Sequence, residues 1–118
     1  ISRHLQTPEI RVFMNLAPLA DLRRPDTPPP APADERGRSP QIFVMEVVAR
    51  KGRNERYVVA RGRDIYAVTA PIVVEAAERV VAGATRTSGA VAPGEIFDAR
   101  DFLRSLGPAH LSVDFHER

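Results

Sequence analysis

The sequence predicts an α+β fold, a mainly antiparallel sheet with two helices packed on one face. Three observations lead there. Short runs rich in β-branched residues recur at strand length, two of them flank a turn signal, and two segments with helix punctuation follow that hairpin instead of alternating with single strands. The predicted order is strand, long loop, hairpin, helix, loop, helix, strand.

The first element is the apolar run from Glu9 to Leu16, bounded by Pro8 and Pro18 and short enough to favour a strand. Residues 18–40 then carry seven of the eleven prolines, so few amide donors remain for a helix or a central strand. That stretch reads as a Pro-rich loop or extended connector. Gln41 to Arg50 is apolar on both alternating faces apart from Glu46, which predicts a central strand. Lys51-Gly52-Arg53-Asn54 is a turn signal, and Arg56 to Ala60 returns as the second arm of an antiparallel hairpin. These two strands are expected in the middle of the sheet.

A helix is predicted from about Ala70 to Ala82, with Thr69 before its first turn, Pro71 inside that turn and Gly83 after the last. Ile72, Val73, Ala76, Ala77 and Val80 share one face and are expected against the sheet, with Glu75, Glu78 and Arg79 facing away. A second helix is predicted from Ala99 to Leu106, with Asp98 as its N-cap, Phe102, Leu103 and Leu106 inward, and Gly107-Pro108 as the stop. Leu111 to Phe115 alternates apolar and polar residues and predicts a last, half-exposed strand.

All of this fits one α+β domain spanning the 118 residues, a length at which a core forms without a metal or disulfide. The chain begins at Ile1, which with the early Pro-rich segment is read as a piece of a longer protein. No apolar run approaches the ~20 residues of a bilayer-spanning helix, so a cytoplasmic protein without membrane partners is expected. Seventeen basic and fifteen acidic residues leave a formal charge of +2, and Lys51 is the only lysine. The basic residues Arg50, Lys51, Arg53, Arg56, Arg61 and Arg63 cluster around the hairpin, but Tyr57 is the only aromatic among them. A nucleic-acid partner is therefore not expected.

The chemistry-bearing residues are sparse. With no cysteine, thiolate zinc sites, iron–sulfur clusters and cysteine nucleophiles are excluded. His4, His110 and His116 lack the spacing of a metal pair, and no serine sits in a Gly-x-Ser-x-Gly elbow. Neither a Gly-x-Gly-x-x-Gly segment nor a phosphate loop occurs, so this chain is expected to bind no nucleotide cofactor and no metal. Glu46, alone in an apolar strand, is the one polar candidate. Its simplest role is a cross-strand pair with an arginine such as Arg56, and general acid or base work is the alternative. Ile42, Val44 and Val48 point to one face of the strand and Phe43, Met45 and Val47 to the other. One helical layer covers only one face and side-chain size does not decide which; Ile42, Val44 and Val48 are taken as the candidate interface residues. A homodimer is the expected partner, with the Pro-rich loop folded over that face as the rival cover.

The residues Asp64-Ile65-Tyr66-Ala67-Val68-Thr69-Ala70-Pro71, then Glu75-Ala76, then Gly89-Ala90-Val91-Ala92-Pro93-Gly94 carry a resemblance. They resemble the closing segment of saccharopine dehydrogenase-like oxidoreductases, with their Tyr-x-x-Thr-Ala helix start and later Gly-Val-x-x-Pro. Asp34 to Ser39, leading into Phe43, is similar to a stretch of bacterial members, so the likeness spans roughly residues 34–108. It implies a parent enzyme whose N-terminal Rossmann domain, missing here, binds NAD or NADP. This chain would then be part of the C-terminal substrate-side or dimerisation domain. The matched motifs are packing and turn motifs, so the resemblance assigns no catalytic residue.

Overall fold

A computed structural model describes residues 5–29 and 31–117. The chain divides into two compact units, Ile1–Pro30 and Ala31–Arg118. In the first, residues 9–16 form neither strand nor helix, which corrects the expected first strand. A strand is completed by hydrogen bonds to a neighbour, and an apolar run without one stays irregular. The Pro-rich segment is corrected as well, because Ala17–Arg23 forms helix α1. Pro18 occupies its first turn, where a missing N–H costs nothing, and Leu19 to Arg23 contain no further proline.

The second unit carries the sheet, and its α+β class is as expected. Strands β1 (Ile42–Lys51), β2 (Asn54–Arg63) and β3 (Leu111–Glu117) are antiparallel in the order β1-β2-β3. β2 is therefore central and β1 is an edge, which corrects the expectation that both hairpin strands are central. The loop between them is only Gly52-Arg53, with Gly52 at φ +61°, as a tight hairpin favours. The register then places Glu46 opposite Val59 and Arg56 opposite Ala49.

Helix α2 (Thr69–Val81) follows β2, and α3 (Pro93–Ile96) and α4 (Ala99–Ser105) precede β3. α4 starts as predicted, with the Asp98 carboxylate accepting the Asp101 amide at 2.9 Å. Phe97, Phe102, Leu106 and Leu111 form the buried core, and Phe43, Ala60, Ala76 and Val113 pack against it. α4 thus lies on the Phe43 face of the sheet. Phe97 and Phe102 stack with ring centroids 5.1 Å apart, and the Arg100 guanidinium lies 4.6 Å from the Phe115 ring centre.

α2 ends as its sequence predicts. Gly83 takes φ +69°, its amide donates to the Val80 carbonyl at 3.1 Å, and the Ala84 amide reaches the Arg79 carbonyl at 2.8 Å. The two bonds make a Schellman stop that a side chain at Gly83 would strain. The inward face of α2 is a correction, because Glu75, Ala76 and Arg79 are half-buried while Ile72, Val73 and Val80 are exposed. Arg79 decides the rotation. It donates to Glu75 at 2.6 Å and to Asp101 of α4 at 2.7 Å, and lies 5.2 Å from the Phe102 ring centre.

Candidate functional site

Two features of the second unit stand out, a polar junction at the start of α2 and an apolar surface left open on β1 and α2. The junction begins in the turn after Ala33. Asp34 accepts the amides of Arg36 and Arg38 at 3.0 Å each and the Arg38 guanidinium at 2.8 Å. These bonds, led by the Arg38 amide, hold the Asp34 carboxyl below the ordinary carboxylate range. Ser39 is buried, and its carbonyl accepts from Arg63 at 3.0 Å.

Asp64 closes the junction. It is buried with φ 57°, a left-handed conformation that aspartate tolerates when its side chain binds nearby backbone. Its carboxylate accepts the Ser39 amide at 2.8 Å, Tyr66 at 3.0 Å and Ala67 at 3.1 Å. The Ser39 and Ala67 amides are the main reasons its pKa is lowered. The Val68 amide donates to the Asp64 carbonyl at 3.2 Å, so the turn capped by Asp64 runs straight into α2. Thr69, the expected cap, makes no capping bond to a backbone amide. Its hydroxyl donates to the Ile65 carbonyl at 3.2 Å. Three satisfied acceptor bonds and a lowered pKa keep Asp64 an ionised anchor and unfit it as a general acid or base.

The candidate interface residues lie where alternation puts them. Ile42, Val44 and Val48 are exposed on one face of β1, at 78%, 59% and 40% respectively. Beside them on this face are the Arg61–Asp114 ion pair at 2.6 Å and Tyr57 stacked on His116 with centroids 4.3 Å apart. Glu46 shares the face, is exposed, and makes no hydrogen bond or ion pair with the described residues. Its expected pairing with Arg56 is corrected by the register. A shallow depression lined by Pro40, Ile42, Arg61, Gly62 and Arg63 lies at the end of this face.

The opposite face of β1 is open too, with Met45 and Val47 exposed. α4 is too short to cover them: seven helical residues span about 10 Å, whereas the ten residues of β1 span about 33 Å. Sequence reasoning missed the exposed valines of α2, Val73, Val74, Val80 and Val81. Their signal was a helix apolar on more than one side, which a single covering sheet cannot satisfy.

Part of the basic cluster of the hairpin is paired within the fold. Arg50 pairs with Glu55 at 2.6 Å, Arg61 with Asp114, and Arg63 approaches Asp34 at 3.7 Å. Among the described residues, no group of three or more His, Asp or Glu side chains could hold a metal ion. His110 and His116 are exposed and apart from the Asp34–Asp64 junction, and His4 lies outside the described residues. Among the described residues, no helix is long and apolar enough to cross a membrane.

Fold and surface together define an α+β unit with open apolar surface on β1 and α2. No protein-family model, curated protein or solved structure matches the chain.

Proposed function

We propose that the chain is a C-terminal substrate-side or dimerisation domain of a saccharopine dehydrogenase-like oxidoreductase, inactive without a Rossmann domain that binds NAD or NADP. The observation that carries this reading is apolar surface without cover on both β1 and α2. Exposed patches of this kind mark surfaces that meet another domain or subunit. The residues that carry the resemblance lie around α2 and α3. Tyr66 sits in the turn before α2, Thr69-Ala70 opens that helix, Glu75-Ala76 lies inside it, and Gly89 to Gly94 leads into α3. The parent enzyme acts in the cytoplasm, and this part binds neither nucleic acid nor membrane.

Calorimetric titration of NAD and NADP tests the reading. The complete gene product should bind one of them, and the 118-residue chain alone should bind neither. Saturable binding by the chain alone, or no binding by the complete product, overturns it. The same open surface supports a second reading, an independent homodimeric interaction module without enzymatic activity. A gene product with no Gly-x-Gly-x-x-Gly segment after an N-terminal strand would decide for the module.

A further inference from the structure

β1 is an edge strand, and its register shows which backbone groups face outward. In a two-residue hairpin the residues flanking the loop exchange both hydrogen bonds, so Lys51 and Asn54 form such a pair. Alternation then turns the odd-numbered residues of β1 toward β2. At the far end the Asp64 amide donates to the Gln41 carbonyl at 2.8 Å, in agreement with that parity. Val44, Glu46, Val48 and Arg50 therefore aim their amides and carbonyls away from β2, toward the open edge.

The geometry points to self-pairing: two copies of this chain join β1 to β1 antiparallel about a two-fold axis at Val48, making one six-stranded sheet. Charge selects the register. Bonding an outward-facing residue to its like requires even-numbered residues opposite even-numbered ones. A two-fold at Glu46 would set two carboxylates face to face, and a two-fold at Val47 would set Glu46 against Val48. The two-fold at Val48 instead sets Glu46 opposite Arg50 of the second copy, twice, and Val47 opposite Ala49. Arg50 already donates to Glu55 through Nε at 2.6 Å and keeps its terminal nitrogens for Glu46 of the other copy. The strand from Met45 to Lys51 is then paired, and Val48 of one copy meets Val48 of the other at the axis, between the two Glu46–Arg50 pairs. Isologous contacts of this kind are the commonest in homo-oligomers. The inference deepens the dimerisation part of the proposed function and is independent of its cofactor part.

Sedimentation of the 118-residue chain across a concentration series gives the dimer constant. Glu46→Arg sets like charges opposite each other at two places and is expected to weaken the dimer at least about tenfold. Arg50→Glu should do the same, and the double variant Glu46→Arg/Arg50→Glu should restore the original constant. In the unaltered protein, amide exchange at Glu46, Val48 and Arg50 should slow as the dimer fills. A monomer at every concentration overturns both the pairing and the dimerisation reading. A dimer indifferent to both single changes, or not rescued by the double one, overturns the pairing alone, as does edge-amide protection that is independent of concentration. In those cases loss of the dimer in Val80→Asp would place the contact on α2. Cofactor titration of the complete gene product, run separately, reports only on the oxidoreductase reading.

Discussion

The two sides of the second unit use similar residues to opposite ends. Around α4 and β3, Phe97, Phe102, Leu106 and Leu111 are withdrawn from water and packed together. Across β1 and α2, Ile42, Val44, Val47, Val73 and Val80 are as apolar and stay exposed. What separates the two sides is reach. α4 and its Asp98 cap set two aromatic rings and Leu106 over the end of the sheet where Phe43, Gly62 and Leu111 meet. Beyond that end Met45 and Val47 stay exposed, because α4 is too short to reach along β1. The lesson is that apolar character marks residues that need cover, while element length and position decide whether the same chain supplies it.

The sharpest way to break this contrast is at its buried side. Leu106 is 2% exposed, and Leu106→Ala should cost about 2–5 kcal/mol in urea unfolding, as cavities in well-packed cores do. Gly62→Ala comes next, because a methyl group there would overlap the ring of Phe43, which lies across the strand pair. Phe43 would have to leave its place against the core, at about 1–3 kcal/mol. Near-ultraviolet circular dichroism would register the displaced ring. Gly83→Ala should cost about 1–2 kcal/mol through its left-handed backbone alone, since the space around it is open.

Acid should loosen the Asp34–Asp64 junction. Both carboxyls have folded-state pKa values lowered by backbone amides, so their stabilisation is complete above the ordinary carboxylate range near pH 4. It is lost as pH falls through the folded values. The melting temperature should therefore drop below about pH 4, and the drop should be smaller in Asp64→Asn, which keeps an amide oxygen as acceptor but no titrating group. An equal acid slope in that variant would mean that Asp64 contributes nothing to it.

Much of the fold was legible because local signals agreed with distant ones. Asp98 before α4, Gly83 after α2 and the alternation of Leu111 to Phe115 each specify their element within a few residues. Three features were set by contacts that spacing does not reveal. The rotation of α2 follows from Arg79 reaching Asp101 and Phe102, twenty-odd positions away. The partner of Glu46 depended on the turn, because Lys51 and Asn54 belong to the strands and leave a two-residue loop. The run from Glu9 to Leu16 had strand composition but gained no strand neighbour. Of the candidate site, the face shared by Ile42, Val44, Glu46 and Val48 was readable from alternation. The Asp64 junction was not, since it joins Ser39 to a residue 25 positions later.

The smallest expected effect tests the exposed side most directly. Val81 is 89% exposed at the end of α2, and serine and valine have nearly equal helix propensities, so Val81→Ser changes little except apolar surface. Under dilute, monomeric conditions the substitution should shift unfolding by no more than about 0.5 kcal/mol, the range of surface changes away from packed sites. The same measurement repeated at concentrations where the chain associates separates the two sides further. A seam through β1 leaves Val81 exposed in the dimer and keeps the effect small. A penalty that grows with concentration would mean that α2 is covered on association, and β1 would lose its claim to be the contact.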